Sequence, residues 1–340
     1  MFNALSPWLT ALHGHAYTLI PRLWHGRGLE APPAETWRAQ VKEHAFDRAS
    51  QLTESEREVT VTGLLSEVAG ADTLLIVLHG CGGAPTSHYA VFATRYFLAQ
   101  NISVLRLAWR GADLGGEDIY HAAQTADVHA AIADARFAKY KRIWLLGYSL
   151  GGHCCLHVAH ETRDARVAAV ATVCPVLHLM LTNEAIDAPA RSMYRRYVLG
   201  GLLSNYVPYE ARGHAPTPLE RVRRASTFRA YDALTVVPRY GFSSVDDYYT
   251  RACASRVLAR IERPTLIVSA RHDPMLPASI AEAVRPSFSP AIRFLWAERG
   301  GHAGFPRDLD LGEPAPLGLE SQVHSWFEQN SSESRAATPS

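Results

Sequence analysis

Short runs of β-branched and aliphatic residues, separated by longer amphipathic stretches, constrain this sequence more than any other feature. Thr73–Leu78 (TLLIVL), Ser103–Trp109 (SVLRLAW), Arg142–Leu146 (RIWLL), Val167–Val173 (VAAVATV), Thr265–Ser269 (TLIVS) and Ile292–Trp296 (IRFLW) are almost continuously apolar. A strand with one wet face alternates polar and apolar residues. A run without a polar face belongs to a strand covered on both sides, as in a parallel sheet. The spacers His88–Gln100, Ala122–Tyr140 and Leu150–Glu161 read as helices. Strand and helix in repetition predict a doubly wound α/β sheet. Glu58–Leu65 reads as one further strand, antiparallel and at an edge.

The alternation breaks between Pro175 and about Arg260, in a segment rich in Arg, Tyr and Pro. Residues 51–174 and 261–328 are therefore expected to form the α/β core. Residues 175–260 are expected to form a helical cap insertion over the C-terminal strand ends, where open α/β sheets build their sites. Residues 1–50 lack strand patterning and are expected to wrap the outside. Residues 329–340, small and polar, are expected to be a disordered tail.

The charges nearly cancel, 34 Lys+Arg against 33 Asp+Glu, so nothing electrostatic points to a nucleic-acid partner. The cysteines, Cys81, Cys154, Cys155, Cys174 and Cys253, have no metal-binding or redox spacing. They read as small buried hydrophobes in a reducing compartment. The N-terminal stretch lacks the basic and apolar regions of a secretory signal. No segment reaches the roughly 18 apolar residues of a membrane span. A cytoplasmic location is the expectation.

Gly147-Tyr148-Ser149-Leu150-Gly151 has the G-x-S-x-G pattern. The pattern alone is weak, but here it joins the strand RIWLL to the helix LGGHCCLHVAHE, the strand–turn–helix setting of a nucleophile elbow. A serine on so sharp a turn is strained, and it draws together the residues two before and two after it. Gly147 and Gly151 leave room for that approach. His79-Gly80-Cys81-Gly82-Gly83 ends an earlier strand, and its backbone is suited to an oxyanion hole formed by the Cys81 and Leu150 N–H groups. Cys81 as a nucleophile has no base placed for it.

In an α/β-hydrolase fold the triad follows the order Ser, acid, His, with the last two on loops after late strands. His302, in Arg299-Gly300-Gly301-His302-Ala303-Gly304, and Asp273, in Ala270-Arg271-His272-Asp273-Pro274, satisfy that order. His272 precedes the acid, His324 sits in an amphipathic helical run, and Glu298 is the poorer substitute for Asp273.

These residues belong to a wider pattern. The chain resembles abhydrolase family 4, which includes bacterial proteins classed as esterases, yeast ethyl-ester synthases and mammalian abhydrolase-domain lipases. The resemblance covers most of the chain. His15-Ala16-Tyr17-Thr18 is similar to the family's HxQT-type segment, with Tyr17 where glutamine is usual. Trp109-Arg110-Gly111, Ile119-Tyr120-His121, Gly147 to Gly152, Tyr240-Gly241-Phe242, Asp247-Tyr248-Tyr249, Arg271 to Pro274 and Gly300 to Gly304 match further motifs. The resemblance implies Ser149, Asp273 and His302 as the triad. After His79-Gly80 the family usually carries an apolar residue and then Gly-Ser, whereas here Cys81-Gly82-Gly83-Ala84 follows.

The leading expectation is a serine hydrolase that cleaves small-molecule acyl esters through an acyl-enzyme, with no metal or organic cofactor. Acyl transfer to an alcohol would use the same triad, and a non-catalytic binding module is the reading from a different class. Arg212, Arg221, Arg223, Arg224 and Arg229 cluster in the insertion. They read first as a solvated face and more sharply as a weak lipid-surface contact. Tyr194, Tyr197, Phe228, Tyr231, Tyr240 and Phe242 are candidates to line an acyl pocket.

Overall fold

The computed structural model describes residues 12–20, 29–46 and 52–333. Its frame is one eight-stranded sheet made of β1 (Glu35–Phe46), β2 (Leu52–Ser66), β3 (Thr73–Leu78), β4 (Ser103–Leu107), β5 (Arg142–Tyr148), β6 (Val167–Val173), β7 (Thr265–Ala270) and β8 (Ile292–Ala297), in the order β1-β2-β4-β3-β5-β6-β7-β8. From β4 to β8 every pairing is parallel. The pairings β1–β2 and β2–β4 are antiparallel.

The helices are α1 (residues 12–20), α2 (His88–Ala99), α3 (Thr125–Ala133), α4 (Leu150–Glu161), α5 (Leu179–Asp187), α6 (Ser192–Ala211), α7 (Leu219–Val222), α8 (Phe228–Leu234), α9 (Val236–Tyr240), α10 (Val245–Arg251), α11 (Ala278–Val284) and α12 (Leu319–Glu333). Successive strand residues point to opposite faces, so a continuously apolar strand feeds two cores. Leu74, Ile76 and Leu78 pack with residues of α3 and α4, while Leu75 and Val77 pack with Phe97, Trp326 and Phe327 of α2 and α12. Between β6 and β7 the chain runs through α5 to α10. None of the described helices is long and apolar enough to cross a membrane.

Several expectations need correction. Residues 35–46 form a strand, and it lies outside β2, so β2 is not the edge. An edge strand with a wet face carries no apolar run. Among its residues 35–42, Trp37 and Val41 are the well-buried ones, too sparse a pattern to stand out. The helix expected over 122–140 is shorter. It stops at Asp134, whose backbone is extended and whose side chain accepts the Arg136 amide at 2.8 Å, opening a short 3₁₀ turn instead. The expected tail is helical as far as Glu333, because Ser331 Oγ accepts the buried Trp144 indole N–H at 2.7 Å. Residues 334–340 lie outside the described set. All five arginines of the insertion cluster are exposed. Arg224 pairs with Glu220 and Arg229 with Asp246, so two of the five have an acid beside them.

A buried charge network fixes the loop after β4. Arg110 is 1% exposed and its guanidinium pairs with Asp127 of α3 and with Asp118, at 3.1 Å for the latter. Asp118 also takes Arg239 of α9 at 2.7 Å. Two cations and two anions thus balance away from water, and removing one strands the others. Arg110→Met should cost about 3–5 kcal/mol of stability, read as a lower urea midpoint. A loss below about 1 kcal/mol, the scale of an exposed pair, would contradict this reading.

Candidate active site

The strands β3 and β5 are hydrogen-bonded neighbours with Leu78 opposite Gly147, so the loops that follow them leave the sheet side by side. β4 lies on the other flank of β3, which makes this the point where the chain reverses its winding and a crevice opens. Ser149, between β5 and α4, has φ 54° and ψ −117°, in a region that a non-glycine residue enters only under strain. The strain is held from outside: the Ser149 amide donates to Val173 O on β6 at 2.9 Å. A Cβ on Gly147 would come within 2.4 Å of Gly151 O, and one on Gly151 within 2.4 Å of Leu78 O. The two glycines let the turn close on itself and on the end of β3.

The loop after β3 is pinned by tyrosines. The Gly80 N–H donates to Tyr89 Oη at 2.9 Å and the Gly82 N–H to Tyr120 Oη at 2.8 Å. The amide between them, that of Cys81, has no acceptor among the described residues, nor has that of Leu150 in the first turn of α4. His79 donates from Nδ1 to Gly80 O at 2.9 Å, and burial pushes it down to about 4, so it is neutral. Burial, followed by the charge of Asp232, pushes the Cys81 thiol up to about 12, which leaves it protonated and a poor nucleophile.

Asp273 and His302 stand on the loops after β7 and β8. His302 Nδ1 and Asp273 Oδ2 are 2.8 Å apart. Asp273 Oδ1 accepts the amides of Met275 at 2.7 Å and Leu276 at 3.0 Å, so both carboxylate oxygens are oriented. Glu298 is exposed and pairs with Arg271 at 3.4 Å instead. His324 packs among Tyr96, Phe97 and Trp144, away from the crevice. Cys174, Asp273 and His302 bring donor atoms within 4.8 Å of one another, a grouping that could hold a metal ion. Burial, then the Asp273 charge, raises the Cys174 thiol well above its usual range. It is a protonated group directed at Gly301 O at 3.6 Å, which suits a metal ligand badly.

Ser149, Leu150, Cys81 and His302 line one cavity of about 510 Å³. Of the aromatic candidates, Tyr194, Tyr197, Phe228 and Tyr231 line it, whereas Tyr240 and Phe242 pack around His121. Thr18 of α1 lines it too. The His302 amide donates to Thr18 Oγ1 at 2.8 Å, and Thr18 Oγ1 donates to Gly14 O at 2.8 Å. A Cβ on Gly301 would come within 2.2 Å of Gly14 O. The positioning contacts of Thr18, Tyr89 and Tyr120 were not derivable from the local sequence. For Thr18 and Tyr120 the only signal is their place in segments that resemble a family pattern.

A model of the alpha/beta hydrolase fold matches residues 73–306, and the chain belongs to that family. Among its relatives is YheT of Escherichia coli (strain K12), named as an esterase. It is 26% identical over 333 residues, which cover 92% of this chain and 89% of that one. Phospholipase ABHD3 of Mus musculus is 21% identical, covering 68% of this chain and 58% of its own. The medium-chain fatty acid ethyl ester synthase/esterase 2 of Saccharomyces cerevisiae (strain ATCC 204508 / S288c) is 23% identical, with coverage of 68% and 58%. The same fold is seen in DcsB complexed with its substrate analogue, with a TM-score of 0.53, 16% identity, and 87% of this chain and 99% of that chain covered.

Thr18→Val would leave the His302 amide without its acceptor. The expected cost is about 1–3 kcal/mol, measured as a fall in the urea midpoint. An unmoved midpoint would show that α1 does not hold the histidine loop.

Proposed function

We propose that the protein is a serine esterase in which Ser149 attacks the ester carbonyl carbon. His302 takes the Ser149 hydroxyl proton as the new C–O bond forms. Asp273 holds the Nδ1 proton and stabilises the imidazolium that results. The amides of Cys81 and Leu150 donate to the oxyanion of the tetrahedral intermediate. When that intermediate collapses, the bond to the alcohol oxygen breaks and the alcohol leaves with the proton from His302. A water molecule, deprotonated by His302, then attacks the acyl-enzyme, and Ser149 departs with its proton restored.

The observation that carries this reading is that His302, hydrogen-bonded to Asp273 behind it, lies on the wall of the cavity that also holds a strained serine at the start of a helix. Two further observations support it. The amides assigned to the oxyanion have no other acceptor among the described residues. Aromatic side chains such as Phe228 and Tyr231 give the cavity a wall suited to an aliphatic acyl chain. Among the relatives, the names esterase and fatty acid ethyl ester synthase/esterase point to an ester as the bond acted on, and phospholipase points to a lipid substrate. The synthase among them keeps acyl transfer open as a second outcome of the same chemistry, since an alcohol in place of water would take the acyl group.

A series of chromogenic esters of rising acyl length, with added alcohol in a parallel arm, tests the proposal. Wild type should release the chromophore, and Ser149→Ala should lower kcat by at least about 10⁴-fold. Hydrolysis by Ser149→Ala within tenfold of wild type would refute the assignment. Alcohol esters among the products would identify the transferase outcome.

A further inference from the structure

One carboxyl group interrupts the aromatic wall of the cavity. Asp232 of α8 lines it and is only 8% exposed. Its Oδ2 accepts the Tyr249 hydroxyl at 2.7 Å. Its Oδ1 has no donor among the described residues, and it is not among the sealed-off atoms that lack one. Among the described residues no cation pairs with it; burial, and then the nearby anion Asp187, lift the carboxyl to about 7.

The neighbouring hydroxyls make other contacts and no hydrogen bond to this carboxyl: Tyr231 donates to Leu202 O at 3.4 Å, and the Tyr248 oxygen accepts the Ala122 amide at 2.9 Å. A plain aliphatic chain lying on this wall would cover Oδ1 and leave it unpaired, which is unfavourable for a buried acceptor. A neutral hydroxyl satisfies the group in either state. It donates to the carboxylate and accepts from the acid, whereas an ammonium group suits the carboxylate alone.

Resting on the reading of the site as ester-cleaving, we propose that Asp232 is a polar anchor for a substrate hydroxyl, and that the preferred substrates are esters bearing a free hydroxyl group besides the scissile ester. The cavity then sorts its ligands by one placed polar group within an apolar lining, the usual basis of specificity in such pockets.

Matched chromogenic esters with and without a terminal hydroxyl on the acyl chain test this, together with alkyl and hydroxyalkyl esters of one acid followed by acid release. Wild type should favour the hydroxylated member of at least one pair by about tenfold or more in kcat/KM. Asp232→Leu should abolish or invert that ratio. Asp232→Asn, whose amide oxygen still accepts, should restore most of it, and Tyr249→Phe, which keeps the carboxyl, should retain it. If the Asp232–Tyr249 bond only holds the wall together, Asp232→Leu and Tyr249→Phe will depress both members of each pair alike. That result, or a wild type indifferent to the hydroxyl while cleaving plain esters through Ser149, overturns the anchor and leaves the esterase reading intact. A wild type that cleaves no ester in the set and whose Ser149 resists a fluorophosphonate overturns both.

Discussion

The parallel pairing of β3 with β5 is the contact on which the site depends. Because Leu78 lies opposite Gly147, the turn that strains Ser149 and the loop that offers the Cys81 amide begin at the same height on adjacent strands. Only a residue without a Cβ can close the remaining gap. Gly151 would collide with the Leu78 and His79 carbonyls if it carried one. A sheet of this stiffness resists the relaxation that would otherwise relieve the serine's backbone. The energy of folding therefore maintains a geometry that a free peptide would abandon.

Around that contact the chain gathers groups from widely separated segments. Asp273 and His302 come from the loops after the last two strands, and α1 reaches across to hold the His302 amide through Thr18. Tyr120, held next to the buried Arg110–Asp118–Asp127 cluster, accepts the Gly82 amide. His153, one turn into α4 from Ser149, lies 2.6 Å from Val176 O and 2.7 Å from Ala252 O, and the one N–H of this buried neutral ring ties α4 to an end of the helical insertion through whichever carbonyl accepts it. The insertion is thus joined to the core by polar contacts as well as by the cavity it helps to enclose.

What could be read from the sequence follows from how locally each feature is encoded. A strand buried on both faces must be apolar throughout, so β3, β6 and β7 were legible almost to the residue. The elbow was legible because its glycines are required within five positions of one another. β1 was not, since the described side chains of this edge strand turn inward at two positions, Trp37 and Val41. The end of α12 was hidden because its stability comes from Trp144, far away in sequence. The break at Asp134 depends on one side chain competing with the helix for a backbone amide. The pairing of His302 with Asp273 was inferred from chain order and from the family resemblance, and the distance between them belongs to the fold. Thr18, Tyr89 and Asp232 act through contacts that no local pattern encodes.

The central claim, that Ser149 carries the acyl group, is tested most directly by trapping that group on the protein. Acid quenching during turnover of a slowly deacylated ester, followed by peptide mass mapping, should find the added acyl mass on the peptide containing Ser149, with the adduct lost in His302→Ala. An acyl mass on Cys81, or on any residue other than Ser149, would contradict the account.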